Sequence, residues 1–318
     1  MAQHFLYSAE ARTLSLAEIF RLSDDQAYDL LKSMRWPGGE PACPHCGSLD
    51  PYGITTRRIF KCKARECRRQ FSLTSGTIFA SHKLPLRDYL AAIAIFVNGA
   101  KGVSALQLGR DLNISYKSAF VLAHKLREAM AADQIGTLDG VVEIDGGYFG
   151  GYVRQPNLKA EKVDRRRRGV KSDMRKAVVV VRERRGRTAT AVFSHEGHST
   201  DFILSRVATS AVVHTDEGRG WDNLHDYYET RRINHQIAYS SQVACTNQAE
   251  SYFSRLRRAE IGTHHNISGP YLGRYAAEMA WREDHRRRPN GEQFRCIATL
   301  AMATGKSGSF TGYWQRAA

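Results

Sequence analysis

Four cysteines set the tightest constraint on what this chain can fold into. Cys43 and Cys46 stand in CPHCGS, Cys62 and Cys67 in KCKARECRRQF, and 15 residues separate the two pairs. Two close pairs at such a distance fit a tetrahedral zinc site of four thiolates, built from two knuckles on a short β-ribbon. Four thiolates fill the coordination sphere, so the ion is expected to be structural, and His45, inside the first pair, to be exposed rather than a ligand. Six cysteines in 318 residues are too few for a disulfide scaffold; clustering of four of them points to a reducing compartment and a metal site. Arg57, Arg58, Lys61, Lys63, Arg65, Arg68 and Arg69 ring the knuckles. A rigid ribbon carrying such side chains is a ready phosphate-contacting surface, with Arg68 and Arg69 best placed for it; the plain alternative is a solvated basic face.

Charge supports a polyanionic partner. The formal net charge is +15 and the isoelectric point about 9.7, a balance that favours nucleic acid. A hydrophobic content of 42% excludes a largely disordered chain. No stretch approaches the roughly 18 consecutive apolar residues of a membrane span, and the opening MAQHFLYSAEART lacks the basic and apolar regions of a signal peptide. A cytoplasmic, nucleoid-associated protein with no membrane partner is therefore expected.

Along the chain, residues 1–40 read as a helical lead-in: Leu16, Ile19, Phe20, Tyr28, Leu31 and Met34 keep helical spacing, and Ser23 before DDQ is an N-cap candidate. RWPGGEPA ends it, and residues 41–82 form the ribbon. Residues 83–136 hold a buried helix, LRDYLAAIAIFVN, then two shorter helical patterns joined at NIS, with Leu106, Leu112, Ala119, Leu122 and Leu126 as the apolar side. Such a pair suggests a helix-turn-helix whose second helix presents Tyr116, Lys117, Ser118, His124 and Lys125 to DNA; helix pairs that bind nothing share the pattern. From 137 to 305 strand-length apolar runs (VVEID, KAVVVVRER, TATAVFS, AVVHTDE) mix with helical segments, which predicts an α/β sheet domain. Residues 153–176 interrupt it with a charged loop holding Arg165, Arg166, Arg167 and Arg168, either a solvated insertion or a clamp on the DNA backbone. Residues 306–318 are a tail.

The carboxylates carry the chemistry. Asp145 lies in the short run VVEID, where an ionised group is costly unless a metal, a partner charge or nearby backbone offsets it. Asp216 ends the strand pattern AVVHT, and Glu250, 34 positions later, opens a helix whose apolar side is Tyr252, Phe253 and Leu256. Two strand carboxylates and one from a helix, converging on a sheet edge, can bind a pair of Mg²⁺ ions, which prefer oxygen ligands and assist in-line phosphoryl displacement. Glu143, two before Asp145, shares its strand face and has a supporting role in prospect. His214 is expected to pack or hydrogen-bond, Asp222 and Asp226 to lie on a surface helix, His264 and His265 to serve a turn or DNA, and Cys245 and Cys296 to be ordinary thiols.

RWPGGEPACPHCGS, KCKARECRRQFSLTSGTIFASHKLPL, EIDGGYFGG, HTDEG and TNQAESYFSRLRRAEIGTHHNISGPYLGRYAAEMAWR, in this order, resemble an insertion-sequence transposase family with an N-terminal zinc ribbon and an RNase H-like DDE domain, akin to Merlin-type elements. The resemblance covers nearly the whole chain. It implies an α/β RNase H-like fold, a mixed sheet flanked by helices, preceded by the ribbon and the helix-turn-helix-like region. It also implies that Asp145, Asp216 and Glu250 are catalytic and bind Mg²⁺ or Mn²⁺, and that Arg257, with its neighbour Arg258, contacts the DNA end. Some members carry Asn or His as third ligand, and here Asn247 stands one turn before Glu250. The implied function is binding of terminal inverted repeats, strand cleavage and transfer to target DNA, by a dimer or larger assembly. Two rivals stay open: a zinc-ribbon DNA-binding regulator with an inactive RNase H-like domain, and an RNase H-like nuclease that cuts without joining.

Overall fold

The structure, a computed structural model, describes residues 5–134, 136–150, 158–161, 175–233 and 245–312. Arg165, Arg166, Arg167 and Arg168 lie outside the described residues. The chain divides into two compact units, Met1–Asp133 with His285–Ala318, and Gln134–Asp284.

The first unit begins with α1 (Leu16–Arg21) and α2 (Asp24–Arg35). Ser23 caps α2 as its sequence predicts: its side chain accepts from Gln26 N at 3.2 Å, and Gln26 Oε1 accepts from Ser23 N at 2.9 Å. The ribbon is a three-stranded antiparallel sheet of β1 (Pro51–Ile54), β2 (Ile59–Cys62) and β3 (Gln70–Ser72). So small a sheet has little core of its own. Phe60 stacks on Phe71 at 5.4 Å, Trp36 packs edge-on against Phe60 at 5.6 Å, and Arg35 donates to the carbonyls of Ser72, Leu73 and Ser75.

Helix α3 (Leu86–Asn98) is apolar all round, and Tyr89 through Val97 are all buried. The helical pair is α4 (Ala105–Asp111) and α5 (Tyr116–Ala131), each N-capped by a serine, Ser104 and Ser115. Gly109 permits the tight joint: a Cβ there would sit 3.2 Å from the Ile114 carbonyl oxygen. Two expectations for this pair fail. Leu106 is 52% exposed, and His124 is fully buried, its ring stacked on Phe310 at 5.0 Å and against Phe120 at 4.4 Å. Phe310 comes from nearly two hundred residues downstream, so α5 spacing alone cannot reveal what covers its His124 face.

A further departure concerns the boundary at 305. Helix α9 (Asn290–Ala303) packs on α2, α3 and α5, burying Phe294, Ile297, Ala298, Ala301 and Met302. Asn290 secures it by donating to the Leu14 carbonyl and accepting from Thr13 N. The sheet unit therefore ends at Asp284, and residues from 285 complete the helical unit.

The sheet unit contains β4 (Val141–Phe149), β5 (Lys176–Glu183), β6 (Thr188–Phe193), α6 (Thr200–Arg206), β7 (Val212–Asp216), β8 (Glu229–Ile233), α7 (Asn247–Ala259) and α8 (Gly269–Asp284). Strand order is β6-β5-β4-β7-β8; β4 pairs antiparallel with β5 and parallel with β7, and β8 runs parallel to β7. This is an RNase H-like mixed sheet. Alternation along β4 sorts its side chains. Val142 and Ile144 join Val179, Val181, Val213, Trp221 and Leu224 in a core beneath α6. Phe149, with Val178 and Val180, packs on the other face against Tyr252, Phe253 and Leu256 of α7 and Leu272 and Met279 of α8. Residues 221–228, expected from sequence to be a surface helix, lie instead mostly in 3-10 turns (Arg219–Asp226) that bury Trp221 and Leu224.

Candidate active site and metal centre

Four free thiols meet in the ribbon. Cys43 and Cys67 Sγ atoms are 3.7 Å apart, Cys46 and Cys62 3.5 Å, and all four lie within 4.8 Å of one another. Thiolates around one tetrahedral zinc stand about 3.8 Å apart, given bonds of about 2.3 Å. The donor set therefore fits structural zinc. Burial opposes ionisation of Cys43, but the backbone N–H groups of His45 and Cys46, together with the thiols of Cys46 and Cys67, outweigh it and hold this thiol at about 7. His45 is exposed beside Arg69, as its spacing predicts. Of the basic ring, Arg58 pairs with Asp25 and Lys63 with Asp50, while Arg57, Arg65, Arg68 and Arg69 are exposed.

In the sheet unit the parallel ladder of β4 and β7 sets Glu143 opposite His214. The ladder ends there; two residues further along each strand come Asp145 and Asp216, near enough for the charge of Asp216 to act on Asp145. One oxygen of Asp145 accepts from Gly146 N at 2.8 Å, so the bond to nearby backbone is present, but Asp145 stands in the middle of β4 rather than at a strand end. Asp216 Oδ1 accepts from Trp221 Nε1 at 2.7 Å and from Gly218 N at 3.0 Å, which fixes the carboxylate plane. Glu250 lies in the first turn of α7, partly buried.

Asp145 is raised to about 7: burial is the largest cause, the Gly146 amide opposes it, and the negative charges of Asp216, Glu196 and Glu250 contribute to the rise. A buried carboxylate among like charges, all donors being oxygen, suits a hard dication. The acids are near enough to feel one another without closing up: among the described residues, only the four cysteines and the set Asp133, His285 and Cys296 bring three ligand atoms within 4.8 Å. Cys296 is thus less isolated than its sequence surroundings imply, its Sγ lying 3.9 Å from His285 Nε2.

Glu143 is the organiser of this region. It is 0% exposed. Its Oε2 accepts from Gln248 N at 2.8 Å and Ala249 N at 3.2 Å, and its Oε1 from Arg184 Nη2 at 3.0 Å and Nε at 3.2 Å. A carboxylate on the free amides at a helix N-terminus meets both unpaired donors and the positive end of the dipole. It fixes the turn that holds Glu250. His214 Nδ1 accepts from Cys245 N at 3.1 Å, and burial, followed by the Arg184 charge, lowers its pKa. It is a hydrogen-bonded support, as expected. Asn247 is exposed at the first helical position, and the N-cap is Thr246. Asp222 is paired with Arg232 at 2.7 Å on the surface, and Asp226 is exposed.

Comparisons with known proteins follow the same division. Residues 22–70 match the transposase zinc-ribbon domain, and residues 137–284 match the ISXO2-like transposase domain, which ends where the sheet unit ends. The chain belongs to the zinc-ribbon, ISXO2-like transposase family. A curated relative of this insertion-sequence transposase, described as an uncharacterized protein in transposable element ISH50 of Halobacterium salinarum, is 26% identical over 294 residues, covering 88% of this chain and 98% of its own length. Two solved structures are more distant. The Mos1 strand transfer complex has 11% identity and a TM-score of 0.26, over 69% of this chain and 80% of its own. A pre-cleavage Mos1 transpososome has 9% identity and a TM-score of 0.18, over 69% and 81%.

Around this transposase's other expected contacts, Lys117 is exposed on α5, whereas Lys125 is half-buried and its pKa is lowered by desolvation. Arg257 and Arg258 are exposed on α7; Arg257 lies over the Phe253 ring at 5.8 Å, and Arg258 Nε donates to the Ser254 carbonyl. Sequence reasoning missed Glu196, Arg184 and Trp221 as parts of the site. No local spacing marks them, because they reach it from the turn after β5 and from two 3-10 turns.

Proposed function

We propose that this transposase binds the terminal inverted repeats of its element, cleaves a phosphodiester to free a 3′-OH and joins that end to target DNA. The observation that supports this reading is the placement of Asp145 and Asp216 on adjacent parallel strands of an RNase H-like sheet, each two residues past the Glu143–His214 pair, with Asp216 and Glu250 near enough for their charges to act on Asp145. Asp145, Asp216 and Glu250 would hold Mg²⁺ or Mn²⁺, which supplies activation of the attacking oxygen and stabilisation of the leaving oxygen. Trp221 and Gly218 both bond Oδ1 of Asp216 and so hold the carboxylate in one orientation, which spares rotational loss when it takes up a cation. Glu143 holds the first turn of α7 and with it Glu250.

The ribbon, with zinc on Cys43, Cys46, Cys62 and Cys67, offers Arg68 and Arg69 to phosphates; α5 offers Lys117, and α7 offers Arg257 and Arg258. Such contacts position DNA and carry little sequence information, so end recognition also needs base contacts from the helical pair. Two ends must be held for joining, which calls for a dimer or larger assembly on DNA, in the cytoplasm with the nucleoid. No helix of the described residues is long and apolar enough to cross a membrane. A supercoiled-plasmid assay with a labelled donor end and Mg²⁺ tests the reading. Joined product is expected; nicking alone would make the protein a nuclease, and intact plasmid with bound ends a regulator.

A further inference from the structure

Three side chains of the helical unit meet at a point that belongs neither to the ribbon thiols nor to the sheet carboxylates. Asp133 follows the end of α5, His285 is the first residue of the chain's return to this unit, and Cys296 lies in α9. Asp133 Oδ2 is 3.6 Å from His285 Nε2, Cys296 Sγ is 3.9 Å from the same nitrogen, and the three ligand atoms all lie within 4.8 Å of one another. Zinc bonds of about 2.0–2.1 Å to nitrogen and oxygen and about 2.3 Å to sulfur, at tetrahedral angles, set N and O about 3.3 Å apart and N and S about 3.6 Å apart. Both separations here are longer by only about 0.3 Å. The acid is too far from the ring nitrogen for a direct N–H···O bond, which spans about 2.7–3.2 Å.

A nucleophile relay would need another arrangement. In a relay the imidazole takes the thiol proton on one ring nitrogen and is oriented by the acid through the other. Here acid and thiol both face Nε2, as donors around a single ion do. The His285 side chain is 7% exposed and that of Asp133 36%, so the imidazole is held by packing while the acid's side opens to solvent. Thiolate, imidazole and one carboxylate make a mixed donor set that suits Zn²⁺ and not Mg²⁺, which takes oxygen. We propose that Asp133, His285 and Cys296 form a second zinc site, with three protein ligands and a water in the fourth position. The chain leaves the helical unit after Asp133 and re-enters it at His285, so an ion held by both ties exit to return, and Cys296 fastens the pair to α9. Nothing in this depends on the reaction proposed for the sheet carboxylates.

Cobalt added to the full chain, with zinc already in the ribbon, tests the site, since Co²⁺ takes zinc's ligands and reports them by colour. One Co²⁺ per chain is expected to bind, giving the visible bands of a tetrahedral ion and a near-ultraviolet thiolate-to-cobalt band, while metal analysis of the same sample finds the ribbon zinc retained. Cys296→Ser should lose the thiolate band, and Asp133→Asn should weaken Co²⁺ binding by at least about tenfold. Cys245→Ser should leave both readings as they are. Serine for a partly buried cysteine and asparagine for a solvent-facing aspartate are close in shape, so both variants are expected to fold. Absence of colour while the ribbon keeps its zinc would overturn the proposal. So would a thiolate band that survives Cys296→Ser, which places the cobalt on other cysteines, or Asp133→Asn binding within about threefold of wild type, which removes the acid from the ligand set.

Discussion

Replacing Glu143 with glutamine tests how a residue that touches no substrate governs the site. The carboxylate accepts from four donors, two on Arg184 and two backbone amides of α7, and is wholly buried. A glutamine keeps one acceptor oxygen and brings two donor hydrogens. Whichever way the amide turns, its NH₂ faces either Arg184 or the amides of Gln248 and Ala249, and that pair of bonds is lost. Losing charge-assisted bonds and leaving a buried charge or donor unmatched costs about 3 kcal/mol, with Arg184 one-third exposed and partly relieved by water. For a sheet unit of this size, that corresponds to a fall in Tm of roughly 6–12 °C. The loss falls on the first turn of α7, so Glu250 drifts, and a shift of about 1 Å lowers cleavage about a hundredfold. Calorimetry and the plasmid assay, run on the same preparation, read both numbers. Melting within about 2 °C of wild type together with undiminished cleavage would refute the reasoning, since the network would then hold neither the fold nor the site.

Glu250→Gln should abolish cleavage and joining while leaving end binding intact, and Asn247→Ala should keep most activity; the reverse pattern in Mg²⁺ assays would transfer the third ligand to Asn247. Cys62→Ser should release zinc and unfold the ribbon near residues 43–71 while the sheet unit stays folded, as metal analysis and a two-transition melt would report; wild-type protein purified without zinc would contradict it. Asp145 keeps its proton to about 7 in the folded chain against 3.8 ordinarily, so below 3.8 it has no effect, and stability falls as pH rises from there to about 7 and then levels off. Metal-free protein should therefore melt lower at pH 7.5 than at pH 5; Mg²⁺ should recover the loss, and Asp145→Asn should lack this component. Neutralising Arg165, Arg166, Arg167 and Arg168 together should flatten the dependence of DNA affinity on salt, measured by fluorescence anisotropy; an unchanged slope means the loop is a solvated insertion.

Local chemistry was legible where one segment carries its own reason. Cysteine spacing announces the ribbon, Ser23 and Gln26 announce the start of α2, and the run of α3 is buried as its composition demands. β4 through β7 read directly as apolar runs, and Asp145, Asp216 and Glu250 stood out as acids at the ends of such patterns. β8 did not. Its ETRRI is an edge strand with one buried residue, so the alternation that marks a strand is hidden under charge. Nor could spacing assign α9 to the helical unit, bury His124 beneath Phe310, or seat Glu143 on the amides of α7. Those outcomes depend on partners more than a hundred residues away. Sequence by itself determined the local elements and the identity of the reactive groups, because capping, periodicity and ligand type act within a few residues. Only the tertiary structure decided which groups meet: the parallel pairing of β4 with β7 brings the strand of Asp145 next to that of Asp216, and Glu143 onto the amides of α7, because such distances exist only once the strands have paired.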